Sequence, residues 1–328
     1  VQARLVELNR VLAAQIDPDG LHRSRNGRLQ LLLLADLVSV RRIGAAQKSE
    51  AGLELGAQID RMHEALDALT LSTGEPAYFN GCGHLPHDVL VAIQAGAPAR
   101  AQRSRLLGGY GILRSGASVV VADGGLVPPP AFASEIHAAA LGFEFSHGSD
   151  LLVGSCGPAP ANLPENQALF RQAIAHSSPT LDGEDPLIRT VPDLSLRAED
   201  HLLTLAGEGY RKRFGVSLER RLTLLSGGTT LVGQDRITPA GTPRGLLNLR
   251  FHLAPGIDVR TGAGAGMVRL VLPRGAVWSF LWEGASMRED ESVRQSPHLG
   301  FNRTRQLVLE ADVATSREVA WIFTLEQR

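Results

Sequence analysis

Lysine is nearly absent from this chain. Lys48 and Lys212 are the only two, and arginine supplies the rest of the 33 basic side chains. Set against 34 acidic residues, this leaves a formal net charge of -1. A near-neutral chain offers no bulk attraction to nucleic acid or to an anionic membrane surface. Arginine can grip carboxylates and sulfates bidentately, although genomic base composition accounts for such a bias equally well. Cysteine is scarce too. Cys82 and Cys156 lie far apart in glycine-rich surroundings, which excludes a disulfide framework and leaves a single bridge undetermined.

Long apolar runs are also missing. The longest, Leu29 to Val38, is broken by Gln30 and Asp36 and is too short to span a bilayer. No signal peptide is read, and helical sequence starts at Val1, so the chain reads as one whose N-terminal portion lies elsewhere. What is present suits a soluble globular protein: 44% hydrophobic and 20% charged residues over a length of 328, enough for two domains.

The character of the chain changes near residue 105. Before it, apolar residues recur at helical spacing. Leu5, Leu8, Leu12 and Ile16 mark a first helix that stops at Asp17-Pro18-Asp19-Gly20. A second is expected from Arg28 to about Ile43, burying Leu29, Leu32, Leu33, Leu37 and Val40. A third is expected over Leu53 to Leu71, with Leu55, Ile59, Met62, Leu66 and Leu69 inward, and a short fourth after Pro86 through Leu90 and Ile93. From Tyr110 the period becomes two. Leu141, Phe143 and Phe145 share a face, as do Phe214, Val216 and Leu218; Leu247, Leu249, Phe251 and Leu253; Val268, Leu270 and Leu272; and Val319, Trp321, Phe323 and Leu325. Alternation separated by turns such as Ser226-Gly227-Gly228 predicts stacked antiparallel sheets. No helix pattern separates the strands, which excludes a doubly wound parallel sheet. The expected architecture is α+β: a helical domain over 1–104 and an antiparallel β-sandwich over 105–328. Gly262–Gly266 reads as a turn, since no helix follows to make it a phosphate loop.

Several blocks, in order, resemble the heparinase II/III-like family of polysaccharide lyases. They are Asp17-Pro-Asp-Gly-Leu-His-Arg-Ser24, Ala77-Tyr-Phe-Asn-Gly81, Gly108-Gly-Tyr-Gly-Ile-Leu-Arg114, His137-Ala-Ala-Ala-Leu-Gly-Phe-Glu-Phe145, Ala175-His-Ser-Ser178 and Asn248-Leu-Arg-Phe-His252. The resemblance implies that the helices are part of an α/α toroid. It also implies β-elimination on an acidic, uronate-containing polysaccharide, and a periplasmic or cell-envelope setting. Such a reaction needs neutralisation of the C6 carboxylate, a base for the C5 proton and an acid for the leaving oxygen. Some members carry a structural divalent metal such as zinc in the sandwich.

Carried over residue by residue, the resemblance has gaps. The family's catalytic Asn would fall before Val1. Gly27 stands where its Tyr is expected, Glu135 replaces a first His, and Ala139 replaces an Asp. The metal-binding Asp would fall at Gly154 or Ser155, leaving His137 and His176 as the only metal ligands, too few for a zinc site. A shift of one block lets His137 stand for the catalytic His instead.

The candidate catalytic groups are therefore His137, His22, Tyr78 and Tyr110, where a Tyr can act as both base and acid. Candidate substrate-binding groups are Asn26 and Arg25 in the polar loop beside His22, Asn80 beside Tyr78, and Arg250 with His252. Alternation puts Asn248, Arg250 and His252 on one face, either solvated or the floor of a sugar groove. The partner is an acidic polysaccharide. A non-catalytic glycan-binding or envelope-assembly protein that lost the lyase residues is the competing expectation; a glycoside hydrolase would need a carboxylate pair, for which Glu75 and Asp88 show no pattern.

Overall fold

The computed structural model describes every residue except 47–48, 96–102, 161, 188–192, 198, 200, 226, 262–265, 299 and 328. Ser226 of the expected turn and most of the Gly262–Gly266 segment thus lie outside the described residues. Four helices come first: α1 (Gln2–Gln15), α2 (Gly27–Ala46), α3 (Glu50–Leu69) and α4 (His87–Ala95). The α1 helix stops before Pro18, where the Asp17 carboxylate accepts the Leu21 N–H at 2.9 Å to close the turn. Gly20 sits there at φ +88, pressed on the backbone of Arg61, so only glycine fits. Ser49 caps α3 by accepting the Gly52 N–H, with Glu50 in the positive first turn. No described helix is long and apolar enough to cross a membrane.

The α3 stripe faces inward as its spacing predicts, although Leu53 is exposed. The α2 stripe is rotated from the expected one. Gln30, Leu31, Leu34 and Leu37 are buried, while Leu32 is exposed and Leu29, Leu33 and Val40 are half-buried. A polar side chain turned the helix. The Gln30 carboxamide accepts the His22 N–H at 2.7 Å and donates to Gly20 O and Met62 O at 2.8 Å each, tying α2 to α3 and to the loop before it. Periodicity of apolar residues alone assigns Gln30 to the solvent side.

Seventeen strands follow among the described residues. In chain order they are β1 (Arg105–Leu107), β2 (Tyr110–Ser115), β3 (Ser118–Asp123), β4 (Phe143–His147), β5 (Asp150–Gly154), β6 (Pro179–Leu181), β7 (Asp193–Arg197), β8 (Leu202–Gly207) and β9 (Val216–Leu224). The others are β10 (Thr230–Pro239), β11 (Leu246–Leu253), β12 (Asp258–Thr261), β13 (Met267–Val271), β14 (Val277–Glu283), β15 (Ser286–Gln295), β16 (Phe301–Asp312) and β17 (Glu318–Gln327). One sheet runs β1-β2-β3-β4-β5-β11-β16-β15, with β6 also on β11; the other runs β12-β13-β14-β17-β10-β9-β8-β7. Every pairing is antiparallel, and the two sheets stack as a sandwich.

Three residues expected on strands lie just outside them. Leu141 occupies a left-handed turn at φ 63 before β4, Phe214 ends a helical turn closed by left-handed Gly215, and Leu272 follows β13. All three still reach the core. His137 stands in the loop between a 3-10 turn (Pro130–Glu135) and β4.

Aromatic side chains fill the space between the sheets. Phe143 stacks on Trp321 at 5.3 Å, and Phe251 meets Trp321 edge-on at 4.9 Å. The outer face of the first sheet is covered as well. Leu107, Tyr110, Ile112, Val119 and Val121 pack on Leu21, Ala65, Leu69 and Phe79 of the helical layer, so β3 is buried along its whole length.

One ion pair crosses this core. Arg220 Nε bonds Asp235 Oδ1 at 2.7 Å, Trp321 Nε1 donates to Asp235 Oδ2 at 2.8 Å, and Arg220 Nη1 donates to Leu141 O at 2.8 Å. The pair thereby joins β9 and β10 to the turn before β4. Asp235→Ala leaves a buried guanidinium unpaired, and we expect it to cost about 3–5 kcal/mol, measured by urea unfolding.

Candidate functional site at the seam of helices and sandwich

The loop between α1 and α2 carries His22, Arg25 and Asn26 into the seam. Arg25 adopts φ 61, a left-handed conformation that costs a non-glycine residue energy. The reward is visible in its contacts. Its Nη2 meets Asp123 Oδ1 at the end of β3 at 2.6 Å, Nε donates to Gly108 O at 2.8 Å and Nη1 to Leu126 O at 2.7 Å. Its guanidinium also lies 4.2 Å from the Tyr110 ring centroid.

A chain of hydrogen bonds runs on from this pair. The Tyr110 hydroxyl donates to Arg25 O at 2.7 Å, Asn80 Nδ2 donates to the same hydroxyl at 2.6 Å, and Asn80 Oδ1 accepts the His137 N–H at 3.1 Å. Asn80 holds φ 50 to do so. Burial raises the Tyr110 phenol well above its ordinary value, and the nearby Arg25 only partly offsets this.

His137 and His176 meet directly, Nδ1 to Nε2 at 3.0 Å. Burial depresses His137 to about 4, with Arg171 adding to the effect. His176 is fully enclosed and is lowered well below its ordinary value by burial, then by His137 and His252. Both rings are therefore neutral at pH 7, and one N–H serves the bond between them. His22 sits elsewhere in the seam. Its Nδ1 accepts the Ser24 N–H at 3.2 Å and lies 2.7 Å from Ser24 Oγ, and its ring meets Phe132 edge-on at 5.4 Å.

Tyr78 belongs to a different group. Its hydroxyl donates to Glu75 Oε2 at 3.0 Å, its backbone N–H donates to Glu144 Oε1 at 3.1 Å, and the Arg294 guanidinium lies over its ring at 3.9 Å. Burial raises the Tyr78 phenol strongly. Glu75 also bonds His84 at 2.9 Å. Glu144 is fully buried, and desolvation raises its carboxyl against the pull of Arg294.

Asn248 and His252 are buried, not solvated: β6 pairs beside β11 at Asn248, and the His252 ring meets the Ile174 carbonyl of the segment that covers it. Arg250 donates to Thr180 Oγ1 at 2.5 Å.

A cavity of about 620 Å³ opens along the seam, lined by Asn26, Arg28 and Gly81 from the helical side and by Glu135, Gln295 and His298 from the sandwich side. Of the expected site residues, Asn26 reaches it. Arg28, Gln295 and His298 went unrecognised in the sequence; their isolated positions carry no motif, and only the fold brings them together.

A metal does not fit the two histidines. Two imidazoles are too few ligands for such a site, and they spend His137 Nδ1 and His176 Nε2 on each other. Ala139 is buried in an apolar cluster. At the remaining expected ligand position, a side chain on Gly154 would run into the Arg294 guanidinium, which donates to Ser155 O at 2.7 Å. Among the described residues, no group of three or more His, Cys, Asp or Glu is gathered to hold an ion. Space is also tight at Gly27, where the resemblance implies a Tyr. A Cβ at Gly27 would already lie 3.2 Å from Cys82 Sγ and 3.3 Å from Pro76 Cβ.

The chain is thus an antiparallel sandwich backed by helices, with a polar cleft at their junction. The comparison with known families is specific: residues 97–322 match the model described as Heparinase II/III-like, C-terminal, and the chain belongs to that family. No curated protein matches at a significant level. Among solved structures, the chain is similar to heparan sulfate lyase HepC from Pedobacter heparinus, at 15% identity and a TM-score of 0.80, covering 100% of this chain and 56% of that one. It is similar to a heparinase III, the BT4657 gene product, at 14% identity and a TM-score of 0.83, with coverage of 100% and 56%. Another heparinase III matches at 14% identity and a TM-score of 0.77, with coverage of 98% and 56%. The chain therefore spans just over half the length of these relatives, and the likeness is one of fold.

The buried histidines have a consequence for acid stability. An unfolded His binds its proton near pH 6.5, whereas folded His137 does so only near 4. Between these values the unfolded state holds more protons, so stability falls as pH drops through that window. Replacing His137 with Gln should flatten the loss of unfolding free energy from pH 7 to pH 4, read as a difference from the parent chain in urea titrations.

Proposed function

We propose that this chain is the C-terminal part of a polysaccharide lyase-like protein that takes an acidic, uronate-containing glycan into the seam cavity. In this reading the helices over 1–104 close an α/α toroid against the sandwich over 105–328, in a periplasmic or cell-envelope enzyme. The observation that carries it is the cavity itself, lined from both layers in a chain of the heparinase II/III-like family. Relatives named heparan sulfate lyase and heparinase III support the choice of an acidic substrate.

The proposed division of labour follows from what each group has free. Asn26 and Arg28 neutralise the uronate carboxylate, since an amide donor and a guanidinium stabilise the charge that grows when the C5 proton leaves. The base is His137, held neutral by burial as a base requires; it stands behind the cavity lining, two positions after Glu135 of the wall, and His22 is the second imidazole, in the loop that carries Asn26. Arg25, Asn80 and Tyr110 support the cleft, their polar atoms being engaged in the network that positions His137. No step is assigned to a metal.

A second reading has its own observation. The hydroxyls of Tyr78 and Tyr110 are buried and already bonded to Glu75 and to Arg25 O, which favours a glycan-binding protein that kept the groove without turnover.

The test uses the full-length protein and a panel of uronate polysaccharides. Lyase action generates unsaturated ends that absorb in the ultraviolet, and Arg28→Ala should weaken substrate binding by roughly tenfold to a hundredfold, as loss of a charge-assisted hydrogen bond of about 1.5–3 kcal/mol implies. Binding without new absorbance, unchanged in His137→Ala, would instead establish the second reading.

A further inference from the structure

A larger cavity, of about 720 Å³, lies away from the seam on the outer face of the first sheet. Its wall is apolar where Phe170, Ile174 and Ile257 line it, and Arg303 stands at its edge. On its lining, His252 of β11 and Ser292 of edge strand β15 meet, Nδ1 to Oγ at 2.6 Å. The other ring nitrogen, Nε2, faces the Ile174 carbonyl at 3.0 Å. A carbonyl can only accept, so Nε2 carries the ring proton and Nδ1 presents its lone pair to the serine hydroxyl. That is a nucleophile bonded to a base that is oriented by a third group, the arrangement by which serine is activated for acyl transfer. The Val293 N–H, next in chain to the serine, turns toward the Cys156 thiol at the same wall, a backbone donor of the kind that stabilises a developing oxyanion. Cys156 itself is an unsuitable nucleophile, since burial pushes its thiol up to about 11.

We propose that Ser292 and His252 form a second, hydrolytic site that cleaves short-chain carboxylic esters. The Ser292 oxygen bonds to the acyl carbon as its proton passes to His252 Nδ1, and the carbonyl electron pair moves onto oxygen. That pair returns to expel the alcohol oxygen, which takes the proton from His252. Water, deprotonated by the same nitrogen, then attacks the acyl-serine, releases the carboxylic acid and restores the hydroxyl. The apolar wall takes the acyl chain, while Arg303 and Glu291 face the polar alcohol portion at the mouth. This site shares no residue with the seam cavity, so it stands or falls independently of the lyase reading.

The test combines covalent labelling with turnover on the full chain. An alkyl fluorophosphonate probe, mapped by mass spectrometry, should modify Ser292, and p-nitrophenyl butyrate hydrolysis should fall at least ~100-fold in Ser292→Ala. A thermal melt of that variant serves as the folding control. His252 is buried, so its replacement can disturb β11; labelling of the unaltered chain is therefore the deciding measurement. An unmodified Ser292 in natively melting protein, or butyrate turnover unchanged in Ser292→Ala, would overturn the proposal.

Discussion

The junction between helices and sandwich depends on one buried ion pair, Arg25 with Asp123. Burying two charges is expensive unless every polar atom finds a partner, and here they do. The guanidinium reaches Asp123, Gly108 O and Leu126 O, and Asp123 Oδ1 also accepts the Gly125 N–H at 2.7 Å. The loop between α1 and α2 is thereby pinned to the end of β3. Because Tyr110 and Asn80 extend the same network to the His137 backbone, the imidazole pair is positioned by a contact made two elements away.

Coverage of both faces of the first sheet explains much of the remaining chemistry. A sheet with one wet face can carry polar side chains there at little cost. Between aromatic rings on one side and helices on the other, β2, β3 and β4 have no such outlet, so Glu144 and Arg114 must be satisfied inside. Arg114 Nη2 does this by donating to Asp67 O at 2.7 Å and Thr70 O at 2.9 Å, at the C-terminal end of α3 where carbonyls are free. Glu144 receives the Tyr78 N–H and lies in the field of Arg294. Arg294 in turn lies over the Tyr78 ring and donates to Ser155 O, holding strand, loop and aromatic ring together.

Much of this architecture was legible in advance, and the reason is periodicity. The α3 stripe, the alternation of β11 and β17 and the change from period 3.6 to period two near residue 105 all reflect burial on one side of a regular element, which a sequence records directly. Order-preserving blocks carried the family. What the sequence could not record were contacts that compete with periodicity: Gln30 bonding three partners at once and turning α2, the left-handed turn at Leu141, and the covered face of β11 that hides Asn248 and His252.

The chain's own letters thus determined the kind of elements, their antiparallel stacking and the family, because these follow from local spacing and short motifs. Tertiary structure alone decided which polar groups meet. His137 and His176 stand 39 positions apart, Ser292 and His252 40, and Arg25 and Asp123 98. Partnerships over such separations depend on strand order and layer packing, and those arise from the sum of many weak contacts, which no single segment encodes.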